Sequence, residues 1–283
     1  MYENLKRFCM KKNAEKIVYI LLGMLAYQYV YAEYLRSSVI IPCHSVHAVY
    51  LEELLCNLEK QTLQPDEVVI SLSDFRHVPK NIMYRLKKSR WNFPVTIITS
   101  DAVLFAGQNR NLACRYAKGD IIICQDADDL PHPQRIEIIT YFFEHYDPDL
   151  IMHRYISLKP HENAQYSTYD LTSLPWISPE NFETEAKNAI VNGNIALKKQ
   201  VVKKYKWSAV RRGQDVAFNR MLFKMISNRI LIQVPLYLYR QHFSSNAAID
   251  PDRIISVIER SYNLYYTERE GYPVTHIVHE AHT

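Results

Sequence analysis

Three carboxylates within four residues are the first feature of this 283-residue chain that suggests chemistry: Asp126, Asp128 and Asp129, at the end of the run DIIICQDADD. Side chains two residues apart in an extended segment lie on one side, so Asp126 and Asp128 are expected to point the same way. Like charges this close repel each other unless a cation lies between them. Hard oxygen ligands suit Mg²⁺ or Mn²⁺, so the cluster predicts a divalent metal site.

The same cluster also has a purely structural interpretation. Acidic residues before a proline serve as turn residues and helix N-caps, and Asp129, two residues before Pro131, is expected in that role. A phosphatase of the aspartyl type would need Thr or Val as the fifth residue of DxDx[TV], where this chain has Leu130. That chemistry is therefore disfavoured.

Glycine spacing and charge exclude several binding classes. The six glycines lie at least twelve residues apart, which is incompatible with a dinucleotide-binding fingerprint or a P-loop. If phosphates bind, a metal held by carboxylates is the usual substitute for such loops. The net charge of +4, without a Lys/Arg block longer than two residues, does not indicate nucleic-acid binding.

The N-terminus leaves the cellular location open. Residues 1–16 carry five Lys or Arg against two Glu, and an uncharged run follows over 17–32. The run is shorter than the ~20 residues that a spanning helix needs. It is compatible with a helix packed on the domain or lying on a membrane surface, with a single-pass signal anchor, or with a cleaved signal. Five cysteines without CxxC, and no Asn-x-Ser/Thr sequon, do not favour a secretory lumen, so the chain is expected to be cytoplasmic or membrane-associated.

Short apolar runs alternate with amphipathic segments further along the chain. Strands are predicted at 38–42, 66–72, 94–99 and 120–125, with helices at 46–61, 79–88 and 106–118, the last ended by Gly119. This alternation predicts a parallel, doubly wound α/β sheet that binds its ligand at the carboxyl ends of the strands. The second half is predicted to hold helices at 131–146, 213–226 and 250–266, strands at 150–158, 191–197 and 229–240, and a disordered tail with His276, His279 and His282.

Six segments in order, between Ser38 and Ser245, resemble glycosyltransferase family 2. They are SVIIPCHS, EELLCNLEKQTLQPDEVVI, AGQNRNLACRYAKGDIIICQDADD, NGNIALKKQVV, RRGQD and VPLYLYRQHFSS. The resemblance implies the GT-A fold, an α/β, mostly parallel sheet flanked by helices, here with an extra N-terminal helix. It places a basic N-terminal segment at 1–36, a transferase domain at 37–246 with a nucleotide-binding half (37–130) and an acceptor half (131–246), and a C-terminal helix and tail at 247–283. The implied activity is a metal-dependent, inverting transfer of a sugar from a nucleoside diphosphate, UDP being favoured, to a glycan or glycoconjugate.

The resemblance also implies roles for four residues in catalysis and metal binding. Asp128 would ligate Mn²⁺ or Mg²⁺, and Asp126 would contact the ribose, the metal or its water shell. His242 would be a third metal ligand or a diphosphate contact; the alternative is a strand-end hydrogen-bonding residue. Asp215 would be the general base that takes a proton from the acceptor hydroxyl; the alternative is a surface position on a helix.

Other residues are placed near the donor by the same resemblance. Arg240 would offset phosphate charge. Pro42 and Asp74 would lie on the nucleotide side, at the ends of the first two strands. Arg110 and Asn111, on the helix before the DXD strand, would contact the nucleotide or position a loop.

The chain departs from the family pattern at two places, and the first of them motivates an alternative function. The family usually has an acidic pair at the end of the second strand, where this chain has Leu72 and Ser73 before Asp74. Gln214 precedes the candidate base where glutamate is common. The alternative is a degenerate relative that binds nucleotide or glycan without turnover. A nucleotidyltransferase would need a glycine-rich, basic loop after the first strand. The residues there, Cys43-His44-Ser45, have neither feature.

The irregular segment 159–185 is rich in aromatic residues, including Tyr166, Tyr169 and Trp176. Aromatic faces suit the apolar face of a pyranose ring. This segment is therefore expected to shape the cleft for the acceptor.

Overall fold

The computed structural model describes residues 34–159, 162–163, 165–178, 180–186, 193–241 and 276–280. Contacts divide the chain into two units, Met1–Tyr34 and Leu35–Thr283, and the elements below belong to the second. The predicted helices at 17–32 and 250–266, and His242, lie outside the described residues. Within the described ranges, no helix is long and apolar enough to cross a bilayer.

The described strands form one sheet. They are β1 (Ser37–His44), β2 (Glu67–Ser73), β3 (Val95–Ser100), β4 (Ile121–Cys124), β5 (Leu130–Pro131), β6 (Leu150–Leu158), β7 (Trp176–Ile177), β8 (Ile195–Lys198), β9 (Arg229–Arg240) and β10 (His276–Glu280). Their order is β10-β3-β2-β1-β4-β8-β6-β9-β5, with β7 paired to β9.

The first half of the sheet is parallel, as predicted. β1 pairs in parallel with β2 and β4, and β2 pairs in parallel with β3. Val39, in the middle of β1, lies opposite Val68 on one side and Ile123 on the other. Every residue of β2, β3 and β4 is buried, which explains their nearly continuous apolar sequences. The carboxyl ends of β1, β2 and β4 meet at one edge, which carries Asp74 and the acidic cluster.

The second half is mixed rather than parallel. β8 runs antiparallel to both β4 and β6, whereas β6 and β9 are parallel to each other. The parallel arrangement predicted from the first four strands is therefore confirmed, and it ends at β4. Hydrophobic periodicity identifies a buried strand but contains no information on its direction, which depends on the path of the connecting chain.

Helices cover both faces of the sheet. They are α1 (Leu51–Glu59), α2 (Lys80–Lys88), α3 (Ala106–Tyr116), α4 (Arg135–Tyr146), α5 (Phe182–Ala186), α6 (Lys199–Lys204) and α7 (Gln214–Met225). A 3₁₀ turn over Ser45–Tyr50 precedes α1. Val39 and Ile41 of β1 pack in the layer of α1, α2 and α4, and Ile40 packs in the layer of α3, α6 and α7. This alternation gives two hydrophobic layers, one on each face.

Gly119 does not end α3 in the way the sequence predicts. α3 ends at Tyr116, and its C-cap Ala117 is extended. A Cβ at Gly119 would lie 2.6 Å from Ser38 Oγ and 2.8 Å from the carbonyl oxygen of Arg36. The Gly119 N–H donates to Ser38 Oγ at 2.7 Å, so the glycine is required by the close approach of two backbones.

The prediction of a disordered C-terminal tail is wrong over 276–280. These residues form β10, which pairs antiparallel with β3, with Ile277 opposite Ile98. The free edge of β3 explains this pairing, because an unpaired strand edge is a template for an added strand.

Candidate active site

The acidic loop, residues 125–129, follows β4 at the carboxyl edge of the parallel strands. The side chains of Asp126 and Asp128 are 17% and 18% exposed, whereas Ala127 and Asp129 are buried. The loop is a turn rather than the extended segment expected, and the Asp129 N–H donates to the Asp126 carbonyl oxygen at 3.4 Å. Asp126 and Asp128 are nevertheless both partly exposed, with a buried residue between them.

Arg110 joins the acidic loop to the beginning of α7. It lies on α3 and is 1% exposed. One guanidinium nitrogen donates to Asp126 Oδ1, and the other donates to Gln214 Oε1 at 3.1 Å. Asp215, the candidate base, is the next residue in the first turn of α7. Gln214 therefore provides the link from Arg110 to the element that carries Asp215.

Burial and neighbouring charges act on Asp126 and Arg110 in opposite directions. Burial raises the pKa of Asp126; the Arg110 cation opposes this shift, and the negative charges of Asp128 and Asp215 add to it. Burial alone would lower the pKa of Arg110, yet neighbouring anions, chiefly Asp126, raise it. The Arg110 guanidinium thus offsets part of the negative charge at this edge of the sheet.

His47 is a neighbour of Asp128 that sequence reasoning missed. It lies in the 3₁₀ turn after β1, and its Nδ1 is 3.8 Å from Asp128 Oδ2. Its side chain is 43% exposed. The available signal was its position three residues after the end of β1, at the edge where ligands bind in parallel sheets.

Asp129 is a turn residue, as the sequence suggests, but its side chain anchors the loop and does not cap a helix. Its Oδ2 accepts a hydrogen bond from the Tyr237 hydroxyl at 2.6 Å, and its Oδ1 accepts one from the Arg240 N–H at 2.7 Å. α4 begins six residues later, with Gln134 as its N-cap residue. Burial, followed by the charges of Asp128 and Asp126, raises the pKa of Asp129 well above its usual value. Asp129 therefore fastens the acidic loop to β9.

Arg240 lies beside the acidic loop, where the resemblance places it. Its Nε donates to the Asp128 carbonyl oxygen. Its Nη1 donates to Glu53 Oε2 at 2.8 Å, and the guanidinium lies 5.0 Å from the centre of the Tyr50 ring. Arg240 thus places positive charge next to Asp128 and is held there by α1 and the turn before it.

The predicted nucleotide side is formed by the ends of β1 and β2. Asp74 accepts a hydrogen bond from the Ser45 hydroxyl at 2.5 Å and lies 2.6 Å from His77 Nδ1. His44 Nε2 is 3.8 Å from the same carboxylate. The Ser45 hydrogen bond, followed by the one with His77, lowers the pKa of Asp74. Pro42 is buried within β1, two residues before the strand ends.

Ser73 stands where the family usually has an acid. It is buried, and its hydroxyl bonds to another side chain of the protein. Its Oγ accepts a hydrogen bond from Asn109 Nδ2 at 2.9 Å. Asn109 Oδ1 in turn accepts one from the Ser71 hydroxyl at 2.8 Å. Asn109, which the sequence analysis did not identify, therefore ties β2 to α3 at this edge. At the end of β2, the carboxylate is therefore that of Asp74.

Asn111 is turned toward the interior. Its Nδ2 donates to the Trp207 carbonyl oxygen at 2.8 Å, and its Oδ1 accepts from the Trp207 N–H at 3.0 Å. A Cβ at Gly107 would lie 2.5 Å from the Ser208 carbonyl oxygen. α3 is thus packed directly on the segment that leads to α7. Of the two roles considered for Asn111, this placement corresponds to loop positioning.

The aromatic residues that were expected to shape the acceptor cleft lie in two different places. Tyr166 and Tyr169 pack on His132, with ring centres at 5.3 and 5.0 Å. Tyr166 is 38% exposed and lies within electrostatic range of Arg240, at the rim of the site. Trp176 pairs with Ile232 of β9, which is five residues before Tyr237 and eight before Arg240, the strand residues that contact the acidic loop. At the rise of a strand this is a separation of ~17–26 Å. The structure does not bring Trp176 to the acidic loop.

Within the part of the chain that the structure describes, no three His, Cys, Asp or Glu side chains form a group that could hold a metal ion. The oxygen donors at the edge are Asp128 and Asp126, the latter already bonded to Arg110. His242, the predicted third ligand, lies outside the described residues.

Comparisons with known proteins agree with this architecture. A model of glycosyl transferase family 2 matches residues 38–206. No curated protein sequence matches the chain significantly. The structure of S. aureus TarS 1–349 in complex with UDP-GlcNAc is similar, with a TM-score of 0.62 at 15% identity over 80% of this chain and 66% of that chain.

A second similar structure is the mannosyltransferase PcManGT from Pyrobaculum calidifontis in complex with GDP-Man and Mn²⁺. Its TM-score is 0.54 at 15% identity, over 90% of this chain and 73% of that chain. At this identity both likenesses concern the fold, which is the GT-A fold predicted from the sequence. The family match covers more than half of the chain. The chain therefore belongs to glycosyl transferase family 2 and is a glycosyltransferase.

Proposed function

We propose that the chain is a metal-dependent, inverting glycosyltransferase that moves a sugar from a UDP-linked donor to a hydroxyl group of a glycan or glycoconjugate. The observation that carries the proposal is that the buried Arg110 bonds both to Asp126 of the acidic loop and to Gln214, the neighbour of Asp215. An inverting displacement needs a group that stabilises the leaving diphosphate and a separate carboxylate that faces the acceptor.

The donor set fits a metal that is held mainly by its substrate. Mg²⁺-type sites often use one or two carboxylates together with phosphate oxygens and water, rather than a cage of side chains. Asp128 would bind such an ion, and Asp126, already bonded to Arg110, would assist or contact the ribose. When bound, the ion stabilises the negative charge that develops on the leaving diphosphate. Arg240, beside Asp128, would add positive charge on the same side.

Asp215 is suited to act as the general base. It lies in the first turn of α7, where the positive end of the helix dipole stabilises an anion. Gln214 fixes this turn through Arg110, so the base is held at a set distance from the donor-side carboxylates. It would take the proton from the acceptor hydroxyl as that oxygen attacks the sugar.

The nature of the donor nucleotide is supported in part by the similar structures. TarS is described with UDP-GlcNAc and PcManGT with GDP-Man, so both hold a nucleoside-diphosphate sugar. Asp74, whose carboxylate faces Ser45 and His77, is the group we assign to the nucleotide side, together with Pro42. UDP is the first donor to test.

The proposal is tested by release of nucleotide from UDP-, GDP- and dTDP-sugars with Mn²⁺. Asp128→Ala should abolish Mn²⁺-dependent nucleotide binding, and Asp215→Asn should keep that binding but lose transfer. Asp147→Asn is the matched control, because Asp147 lies at the end of α4 and pairs with Lys198. Asparagine also tolerates its positive φ of 49°.

The alternative, a non-catalytic relative, predicts a different result. It is favoured by the burial of Ser73 where the family usually has an acid. In that case the wild type would bind UDP with Mn²⁺ but would not release it from any sugar donor, with or without acceptor. A wild type that binds no nucleotide at all would refute both functions.

A further inference from the structure

A buried arginine that has no carboxylate partner among the described residues lies beneath the acidic loop. Arg135, the first residue of α4, is 1% exposed. Its guanidinium donates to four neutral acceptors. These are the Cys124 carbonyl oxygen at 2.7 Å, Gln125 Oε1 at 2.7 Å, His153 Nε2 at 3.1 Å and the Gly193 carbonyl oxygen. A buried cation is costly unless paired, so this residue requires an explanation beyond packing.

The first connection from Arg135 to the acidic loop runs through Gln125. Because Gln125 Oε1 accepts from Arg135, the amide NH₂ must face the other way. Gln125 Nε2 donates to the Asp126 carbonyl oxygen at 3.1 Å and to the Asp129 carbonyl oxygen at 3.2 Å. These two carbonyls bracket Asp128. The guanidinium therefore sets the orientation of an amide that holds the backbone on both sides of the candidate metal ligand.

The second connection runs through Tyr237. The guanidinium carbon of Arg135 lies 5.3 Å from the centre of the Tyr237 ring, a cation–π distance. The Tyr237 hydroxyl donates to Asp129 at 2.6 Å and accepts from the Asp126 N–H at 3.3 Å. A Cβ at Gly193 would overlap the ring and hydroxyl of Tyr237. Arg135 thus reaches both ends of the acidic loop by independent routes.

The negative charge of the acidic loop explains why a cationic side chain is favourable at Arg135. The acidic loop carries three carboxylates, and Arg110 lies on one side of it. Burial lowers the pKa of Arg135 to about 10, with Tyr237, Cys124 and Asp126 opposing the shift. The side chain therefore remains a cation at neutral pH and attracts the acidic loop from below.

We propose that Arg135 is a positioning residue for the donor site, which holds the acidic loop in its metal-binding shape before the donor and metal arrive. Preformed loops bind with less loss of conformational entropy. The inference rests on the proposed function, because its consequence is measured on Mn²⁺-dependent nucleotide binding. The positioning itself can be measured without any ligand.

The test compares Arg135→Lys with a matched control, Arg229→Lys. Arg229 is also buried, donates to the carbonyl oxygens of Phe223 and Ile226, and lies 5.1 Å from the ring of Phe182. These contacts lie at the C-terminal end of α7 and on α5, whereas the acidic loop contacts the other end of β9. Lysine keeps the charge but has a single nitrogen, so it cannot reach four separate acceptors.

Two readouts are taken on the full chain. Hydrogen exchange of amides in residues 124–130, without ligand, should be at least about tenfold faster in Arg135→Lys than in the wild type or in Arg229→Lys. Titration with UDP in the presence of Mn²⁺ should show at least about tenfold weaker binding in Arg135→Lys alone. Unchanged loop exchange, or UDP affinity within about twofold of the wild type, would overturn the inference.

If Arg135→Lys does not fold, Gln125→Met replaces it. Methionine has a similar length but cannot hold the two loop carbonyls, and the other three acceptors of Arg135 stay in place. The same faster exchange and weaker UDP binding are expected, and wild-type behaviour would overturn the inference. Failure of the wild type to bind Mn²⁺ and UDP would instead refute the proposed function and with it the donor-site role. The exchange result still decides whether Arg135 holds the loop.

Discussion

Tyr237→Phe should destabilise the protein by an amount that depends on pH, because it removes one of two hydrogen bonds to a buried carboxylate. Asp129 is 2% exposed and accepts hydrogen bonds from the Tyr237 hydroxyl and the Arg240 N–H. A hydrogen bond to a charged group contributes about 1.5–3 kcal/mol. Because the Arg240 bond remains, we expect a loss of about 2 kcal/mol, or roughly 4–8 °C in the unfolding midpoint of a domain of this size.

The sign of the pH dependence follows from the shift of Asp129. Burial and the charges of Asp128 and Asp126 raise the pKa of Asp129, and the Tyr237 hydrogen bond opposes this rise. The substitution therefore raises the pKa further, so its penalty falls on the ionised form. The penalty is complete at pH values above the pKa of the folded variant, and it shrinks as the pH falls and Asp129 takes up a proton.

Urea unfolding of the wild type and Tyr237→Phe at about pH 8 and about pH 5.5 measures both quantities. Tyr239→Phe is the control, since among the described residues the Tyr239 hydroxyl donates to no carboxylate; its ring packs against Tyr155 at 6.3 Å. A penalty below about 0.5 kcal/mol at the higher pH, or one that grows as the pH falls, would refute the assigned role of Asp129.

Three further predictions concern packing, protonation and the candidate metal ligand. Gly193→Ala should cost about 1–3 kcal/mol in urea unfolding, because its Cβ would overlap Tyr237; a smaller loss would mean that the ring can move. Burial lowers the pKa of His153 well below its ordinary value near 6.5, so the unfolded chain binds the proton first. Below about pH 6.5 the wild type should lose up to about 1.4 kcal/mol per pH unit relative to His153→Asn, and parallel pH profiles would contradict this. Asp128→Asn should weaken Mn²⁺-dependent UDP binding at least tenfold without lowering the thermal midpoint, since it relieves repulsion with Asp126; unchanged binding would exclude Asp128 as the ligand.

Local patterns were sufficient for much of the fold and for the exposure of the two candidate ligands in the acidic loop. The ranges predicted for β6 and β9 agree with the structure to the residue, because each is a long run with β-forming side chains between turn residues. The partial exposure of Asp126 and Asp128 on either side of the buried Ala127 has the period of two that their spacing suggests, although the loop is a turn. Such features depend on neighbours in sequence, and periodicity reports them directly.

Features that depend on distant contacts were not predictable in this way. Asp129 is defined by Tyr237, 108 residues further along the chain. Arg135 takes acceptors from three separate segments, and its place at the start of a helix suggests only a surface charge. β10 forms by pairing with the edge of β3, a strand far away in the sequence. In each case the partner, rather than the residue type, determines the role.

The hydrogen bonds of the acidic loop distinguish its three carboxylates. Asp126 is bonded to the buried Arg110 guanidinium, and Asp129 is bonded to Tyr237 and to the backbone of β9. Each of these two is thus compensated by the protein itself. The Asp128 side chain is partly exposed, its Oδ2 lies 3.8 Å from His47 Nδ1, and its backbone carbonyl accepts a hydrogen bond from Arg240. A cation supplied with the donor can therefore bind Asp128 without breaking the bonds that hold Asp126 to Arg110 and Asp129 to Tyr237.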